Sequence, residues 1–456
     1  MAEYVADITE REALLSRSVN GDESNHKYVP RRQIPIDRYF AVYFIFLFLG
    51  IASLLPWNFF ITAKTYFQYK LRNTTAPESS YNDPATMTDL QLLLLSYLEI
   101  SSTISNLVCV CFTVMLVRFI SLKKRVVLSL ALIILVFAAT TILVNINSDE
   151  WQTAFFGLTM ASAAIINGAT AVMTGSVFGL VCRFPPMYTQ SVMTGQAVGG
   201  TFAALASIFS LLGSGTVIES AFGYFLTATA ICTVALLAYA LLYYFEFSKY
   251  YITETDENHL NAQDSEGLMS TDHLGHIEFY TTIVKKIWRQ GIGVCVVFTV
   301  TLSVFPAVCS TIRSGDYQPG DPWSDKYFIP VVCYLFFNLG DWIGRPISGW
   351  IQQPSYRHQN VLFMLCLFRV VLVPLIMFCD AQPRSLPVWF NNDAFPIAFI
   401  IILGITNGYF GTLNMMYAPQ RVPLGQAEGA GVLMSLMLTL GLALGSGLSI
   451  LLIKLL

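Results

Sequence analysis

Asn338-Leu339-Gly340-Asp341-Trp342-Ile343-Gly344-Arg345 lies inside an apolar run over residues 328–350. The run is long enough to cross a bilayer as a helix. On that helix Asn338, Asp341 and Arg345 fall at i, i+3 and i+7, so they share one face. A lone carboxylate or guanidinium at the bilayer centre costs about 2.5–3.5 kcal/mol on insertion scales. Asp341 and Arg345 stand one turn apart and offset part of that cost as an i,i+4 pair. Such a stripe normally faces a bundle interior or a water-filled cavity. Two readings follow: the pair locks helices together, or it lines the path of a polar solute.

The rest of the chain has the composition of a polytopic membrane protein. Of 456 residues, 55% are hydrophobic and 12% charged, with a mean hydropathy of +0.58. Soluble domains carry about 25% charged residues. The 33 Phe and 22 Tyr suit lipid-facing and interfacial packing. The nine cysteines fall in or beside apolar runs without a framework spacing, so no disulfide scaffold is expected. All five histidines lie in polar segments, which argues against an intramembrane metal centre. HExxH, Walker A and GxSxG motifs are absent, so the chain reads as neither an enzyme nor an ATP-driven pump, with no cofactor. Membrane lipid is an expected partner and nucleic acid is not.

Residues 1–39 read as a disordered, charged cytosolic tail without a cleavable signal peptide. Within it Glu10-Arg11-Glu12-Ala13-Leu14-Leu15 has the form of an acidic dileucine signal, an endosomal or lysosomal address read by a clathrin adaptor. Apolar segments then predict about eleven spans: residues 40–62, 90–117, 126–144, 153–181, 191–212, 221–245, 287–312, 328–350, 361–378, 395–417 and 427–455. Residues 40–245 form a first set of six and 287–456 a second set of five. The long polar stretch 246–286 divides them.

Several positions within these segments carry chemistry. Pro56 frees a carbonyl in the first span, which is tolerated where a helix borders protein or a cavity. Trp57 beside it is either an interfacial belt residue or a stacking platform for a flat ligand. Gly195-Gln196-Ala197-Val198-Gly199 is a small-xxx-small pattern for close helix packing. Glu99 is expected at an interface or in a wet vestibule, Arg369 in a structural pair, and Glu428 as a first-turn acid favoured by the helix dipole.

Lysine and arginine placement sets the orientation. With the amino terminus in the cytosol, inside loops hold Arg38, the cluster at 118–125, Arg183, Lys249, Lys285, Lys286, Arg289, Arg357 and Arg421, whereas outside loops hold fewer. The same topology puts the dileucine signal in the cytosol, the sequon Asn73-Thr74-Thr75 on the luminal or outer side, and the carboxyl terminus there too.

Six stretches together resemble the equilibrative nucleoside transporter family: Ser53–Phe60 (SLLPWNFF), Phe222–Phe225 (FGYF), Phe305–Val308 (FPAV), Asn338–Arg345 (NLGDWIGR), Asn407–Tyr409 (NGY) and Gly441–Gly445 (GLALG). The tail signal, with the stretches around Lys64 and Asn73, is most similar to the lysosomal, intracellular branch. The resemblance implies an all-α polytopic fold of eleven helices in two pseudo-symmetric halves, six plus five, similar to the major facilitator arrangement. It implies facilitative transport of nucleosides such as adenosine and uridine, with nucleobases as further candidate solutes, by alternating access. The membrane would be that of the late endosome or lysosome, or the plasma membrane. Residue by residue, it places Leu54, Trp57 and Ile61 on the central cavity in span one and an aromatic at Phe305 in span seven. It places Asn338, Asp341 and Arg345 around the ribose, and Gly195 and Leu442 at cavity or permeant-sensitive positions. Thr174 stands where plasma-membrane members carry a glutamine that contacts the base. In this reading Trp57 and Phe305 hold the base face, and Asp341 accepts from ribose hydroxyls beside the donor Arg345. The alternative is a proton-linked or organic-cation carrier on the same scaffold; Arg345 beside Asp341 weakens it by supplying the counter-charge. A non-transporting receptor is the third class.

Overall fold

The computed structural model describes residues 35–75, 87–117, 119–212, 216–253, 273–382 and 387–456. Glu10, Leu14 and Leu15 lie outside these. The chain is all-α, and ten helical segments among the described residues are long and apolar enough to cross a membrane. Between the fourth and fifth of them comes a further helix of 27 residues. We number the segments α1 (Ala41–Thr62), α2 (Asp89–Leu116), α3 (Leu122–Val144), α4 (Gln152–Val181), α5 (Pro186–Leu212), α6 (Val217–Leu242), α7 (His273–Val304), α8 (Phe336–Trp350), α9 (Gln359–Phe368), α10 (Ala394–Tyr417) and α11 (Ala427–Leu455).

Local chemistry explains the boundaries. α2 begins with a capping box: Thr88 accepts from Gln91 N–H while the Gln91 side chain accepts from Thr88 N–H. Thr216 and Glu219 do the same for α6. α7 starts at His273, well before the expected residue 287, so the end of the polar stretch is a helical extension of the span. α7 stops at Val304 because Pro306 has no N–H and restricts Phe305. Ahead of α8 the chain runs through two wide helical turns, Pro322–Tyr327 and Ile329–Leu335, so this segment also begins earlier than expected. α9 tightens into a 3₁₀ turn over Arg369–Val371 before the final turn Leu372–Met377. Pro374 accounts for this, since it cannot donate to the carbonyl of Val370.

The helices pack through glycine seams that bring polar groups on different helices together. Gly340 and Gly344 of α8 face Gly404 and Gly408 of α10. A Cβ on Gly344 would stand 2.3 Å from the Ile405 carbonyl oxygen, and one on Gly408 2.2 Å from that of Asp341. The second seam joins α1 to α5. A Cβ on Gly195 would stand 2.0 Å from the Leu47 carbonyl oxygen, and one on Gly50 2.2 Å from that of Val192. α5 also packs on α8, and α11 packs on α2, α4 and α7. The core between α1 and its neighbours is aromatic: Phe60, Phe67, Phe137 and Phe225 are fully buried, and each is in ring contact with at least two of the others.

Candidate functional site

Asp341 and Arg345 are brought together as their spacing predicts. Arg345 donates from Nε to Asp341 Oδ2 at 3.0 Å, and its Nη2 lies 2.8 Å from the same oxygen. Asp341 is 5% exposed and Arg345 4%. Burial of this depth requires every polar atom to be matched, and three further partners do so. Asn407 of α10 donates from Nδ2 to Asp341 Oδ1 at 2.7 Å. Arg345 Nη1 donates to the Met193 carbonyl oxygen of α5. It also lies 3.5 Å from Gln196 Oε1, while the Gln196 amide donates to Ser53 Oγ of α1 at 3.1 Å. One carboxylate and one guanidinium thus connect α8, α10, α5 and α1.

The third member of the stripe behaves differently. Asn338 is half-buried, and its Nδ2 donates to the Tyr334 carbonyl oxygen at 2.8 Å. Its own carbonyl accepts from Thr201 of α5 at 3.2 Å. Leu54, Trp57, Ile61, Thr174, Phe305 and Leu442 are likewise half-buried. Trp57 lies nearly parallel to Phe60, with ring centroids 6.3 Å apart. Phe305 stacks on Phe337 at 3.8 Å, so one of its faces is already covered by α8's first turn. Gly195, by contrast, sits in the α1–α5 seam, buried against backbone, where it sets helix spacing.

Glu428 stands in the first turn of α11, as expected, and is in addition buried between two guanidiniums: Arg125 at the start of α3, and Arg183 after α4, whose Nη2 donates at 2.6 Å. Both arginines had the look of loop charges. Arg369, expected in a pair, instead places its four described bonds on uncharged oxygens: Val297 and Leu403 carbonyls and the hydroxyls of Thr301 and Thr406. Asn407 and Thr301 are the residues that the sequence reading did not assign to the site. The signal for both was present, since each is a polar side chain within an apolar run, Asn407 in the middle of α10 and Thr301 in the last turn of α7.

A family model described as nucleoside transporter matches residues 160–454. The chain belongs to the equilibrative nucleoside transporter family. Equilibrative nucleoside transporter 3 of Rattus norvegicus is 36% identical, the match covering 97% of this chain and 94% of that protein. Equilibrative nucleoside transporter 1 of Rattus norvegicus is 35% identical, with 92% and 98% covered. Equilibrative nucleoside transporter 2 of Homo sapiens is 34% identical, also with 92% and 98% covered. The family assignment and the helical segments together make the chain an integral, multi-pass membrane protein. Within the family match, residues 160–454 hold the Asp341–Arg345–Asn407 cluster and the Arg183–Glu428 pair; α1 and Arg125 lie before it.

Proposed function

We propose that this chain moves nucleosides down their gradient by alternating access, with the Asp341–Arg345 pair reading the ribose. Family membership carries the solute class. The buried pair carries the choice of site, because an ion pair inside a membrane helix, matched atom for atom, is costly to keep without a task. A nucleoside is uncharged, with a flat base and a polyhydroxyl sugar. Ribose hydroxyls are able to share the remaining lone pairs of Asp341, and the guanidinium of Arg345 is able to donate to sugar oxygens. Trp57 and Phe305 offer ring faces to the base, while Leu54, Ile61, Thr174, Asn338 and Leu442 complete the walls.

Two arrangements of helices 1–6 against 7–11 would alternate around that site. Bonds cross between the two sets at the Arg125 and Arg183 end through Glu428, and at Arg345 with Met193. At the opposite end the bonds seen among the described residues run within each set, as in Arg72 with Asp149 and Ser314 with Asp393. This pattern supports a state shut at the Arg125 end and open at the Asn73 end. Positive-inside placement makes the Arg125 end cytosolic. Asn73 is exposed, with Thr75 hydroxyl donating to its side-chain oxygen at 2.7 Å, and is the proposed glycosylation site. The acidic dileucine signal at Glu10, Leu14 and Leu15 directs the protein to late endosomes or lysosomes through a clathrin adaptor. Uptake of labelled adenosine and uridine into vesicles, at neutral and at acidic luminal pH, tests the reading. Flux of neither nucleoside would overturn it.

A further inference from the structure

We propose that Arg369 is a positioning residue for the Asp341 carboxylate, acting through Thr301 and Asn407. The proposal rests on the reading that Asp341 receives ribose hydroxyls. Four helical segments contribute one hydrogen-bonded chain. Arg369 Nη2, in the 3₁₀ turn after α9, donates to Thr301 Oγ1 of α7 at 3.0 Å. Thr301 Oγ1 donates to Asn407 Oδ1 of α10 at 2.8 Å. Asn407 Nδ2 donates to Asp341 Oδ1 of α8 at 2.7 Å. All four residues are buried, at 5% exposure or less.

The direction of the chain follows from counting protons. Thr301 has one hydroxyl proton and two acceptors in reach: Asn407 Oδ1, and the Val297 carbonyl oxygen four residues back at 3.0 Å. A helical threonine turns to its own i−4 carbonyl by default. Here Arg369 Nη1 donates to that same carbonyl at 2.7 Å, and Arg369 Nη2 fills the acceptor side of the hydroxyl. Sharing that carbonyl with the guanidinium weakens it as an acceptor, and Asn407 Oδ1 is the nearer of the two at 2.8 Å, so the proton favours Asn407 Oδ1. With its oxygen engaged there, the Asn407 amide presents its NH₂ group to Asp341. Remove the guanidinium and Thr301 returns to Val297. Asn407 Oδ1 then loses its donor, and the amide is anchored only through its NH₂ group on Asp341 and is free to swing with it. The plane of the carboxylate relative to the substrate is then no longer fixed from the far side.

The guanidinium itself also calls for explanation. A buried cation bonded to neutral oxygens is an expensive way to join three helices, because its desolvation is not offset by a partner anion in contact. Ordering the protons of a chain that ends on a carboxylate is a task an apolar residue cannot perform.

The test is competition by a nucleoside and its 3′-deoxy analogue against labelled uridine in vesicles. Wild type, Thr301→Val, Thr301→Ser and Arg369→Met are compared. In wild type the parent should compete about tenfold or more better than the analogue, since a lost hydroxyl leaves a buried acceptor unmatched. In Thr301→Val and Arg369→Met that ratio should fall toward one, through weaker competition by the parent alone. Thr301→Ser keeps the hydroxyl and should keep the wild-type ratio. Should Arg369→Met fail to reach the membrane, Thr301→Val still decides, because it is nearly isosteric and removes only the relay hydroxyl. An unchanged ratio in Thr301→Val, or an equal loss for parent and analogue, would overturn the proposal and leave Arg369 as a structural clamp. A wild-type ratio near one would instead overturn the reading of Asp341 itself, and the positioning role would fall with it.

Discussion

Asn407 on α10 donates to one carboxylate oxygen of Asp341 on α8, and Arg345 donates to the other. Both oxygens are thus held before any solute arrives. A ribose hydroxyl must add to this arrangement or displace part of it, which makes the cluster responsive to occupancy. It also makes each member hard to replace, since removing one partner strands a buried charge at a cost of about 3–5 kcal/mol.

Asp341→Asn and Arg345→Ala are each expected to abolish uptake. Arg345→Ala leaves the carboxylate without its cation, and Asp341→Asn leaves the guanidinium without its anion. Uptake and membrane abundance should be measured together. Normal uptake by Asp341→Asn would reduce the pair to a helix lock.

The pair was legible in the sequence because i,i+4 spacing is a local property of one helix. Its third-helix partner was not, since the register of α10 against α8 is set by Gly340, Gly344, Gly404 and Gly408 meeting across a seam. Asn407 could be seen as a polar residue in an apolar span, yet nothing local says which helix it meets. Gly195 shows the same limit. Its small-xxx-small pattern said that the helix packs closely but not against what, and the α1–α5 seam supplies the partner. Arg125 and Arg183 lie next to chain turns, where a loop charge and a buried charge look alike in sequence; only the approach of Glu428 from α11 separates them.

Gly195→Ala is accordingly expected to reduce uptake by forcing α1 and α5 apart, because its Cβ would fall 2.0 Å from the Leu47 carbonyl oxygen. Gly50→Ala should do the same. Gly223→Ala is the control: nothing lies within 4 Å of a Cβ there, and removing glycine from a helix stabilises by about 0.5–1 kcal/mol. Uptake, membrane abundance and thermal stability in detergent check all three. Equal behaviour of Gly195→Ala and Gly223→Ala would refute the seam.

Glu428→Gln should lower thermal stability, since it leaves Arg125 and Arg183 facing each other without their shared anion. The cost is about 3–5 kcal/mol for breaking a buried pair. Replacing all three with apolar residues (Arg125→Met, Arg183→Met and Glu428→Leu together) should recover much of that loss, because packed apolar groups substitute well for buried ions. The triple variant should remain poor at uptake if the cluster shuts one end of the path in only part of the cycle. Recovery of both stability and uptake would show that the cluster serves stability alone.

Leu14→Ala with Leu15→Ala is expected to move the protein from late endosomes or lysosomes to the cell surface. The motive is the acidic dileucine stretch on a tail that positive-inside placement assigns to the cytosol. Surface labelling and imaging decide it, and unchanged localisation would discard the signal as a chance match.

Trp57→Ala should weaken all nucleosides by a similar factor, whichever base they carry. The Trp57 ring lies at 14° to that of Phe60, so its plane is set by a fully buried neighbour. A pre-set aromatic face gives about 1–3 kcal/mol per stacked base and is tolerant of base identity, because every base has a π-face. The expected result is roughly a tenfold or greater rise in apparent KM for adenosine and uridine alike. Trp57→Phe retains a ring on the same backbone and should recover most of the affinity. Phe305, already stacked on Phe337 at 3.8 Å, has one face to offer and should show the same pattern with a smaller effect in Phe305→Leu. Concentration-dependent uptake of both nucleosides by each variant provides the comparison. If Trp57→Ala spared both nucleosides, the residue would be an interfacial anchor; if it impaired only one of them, it would contact the base edge and not its face.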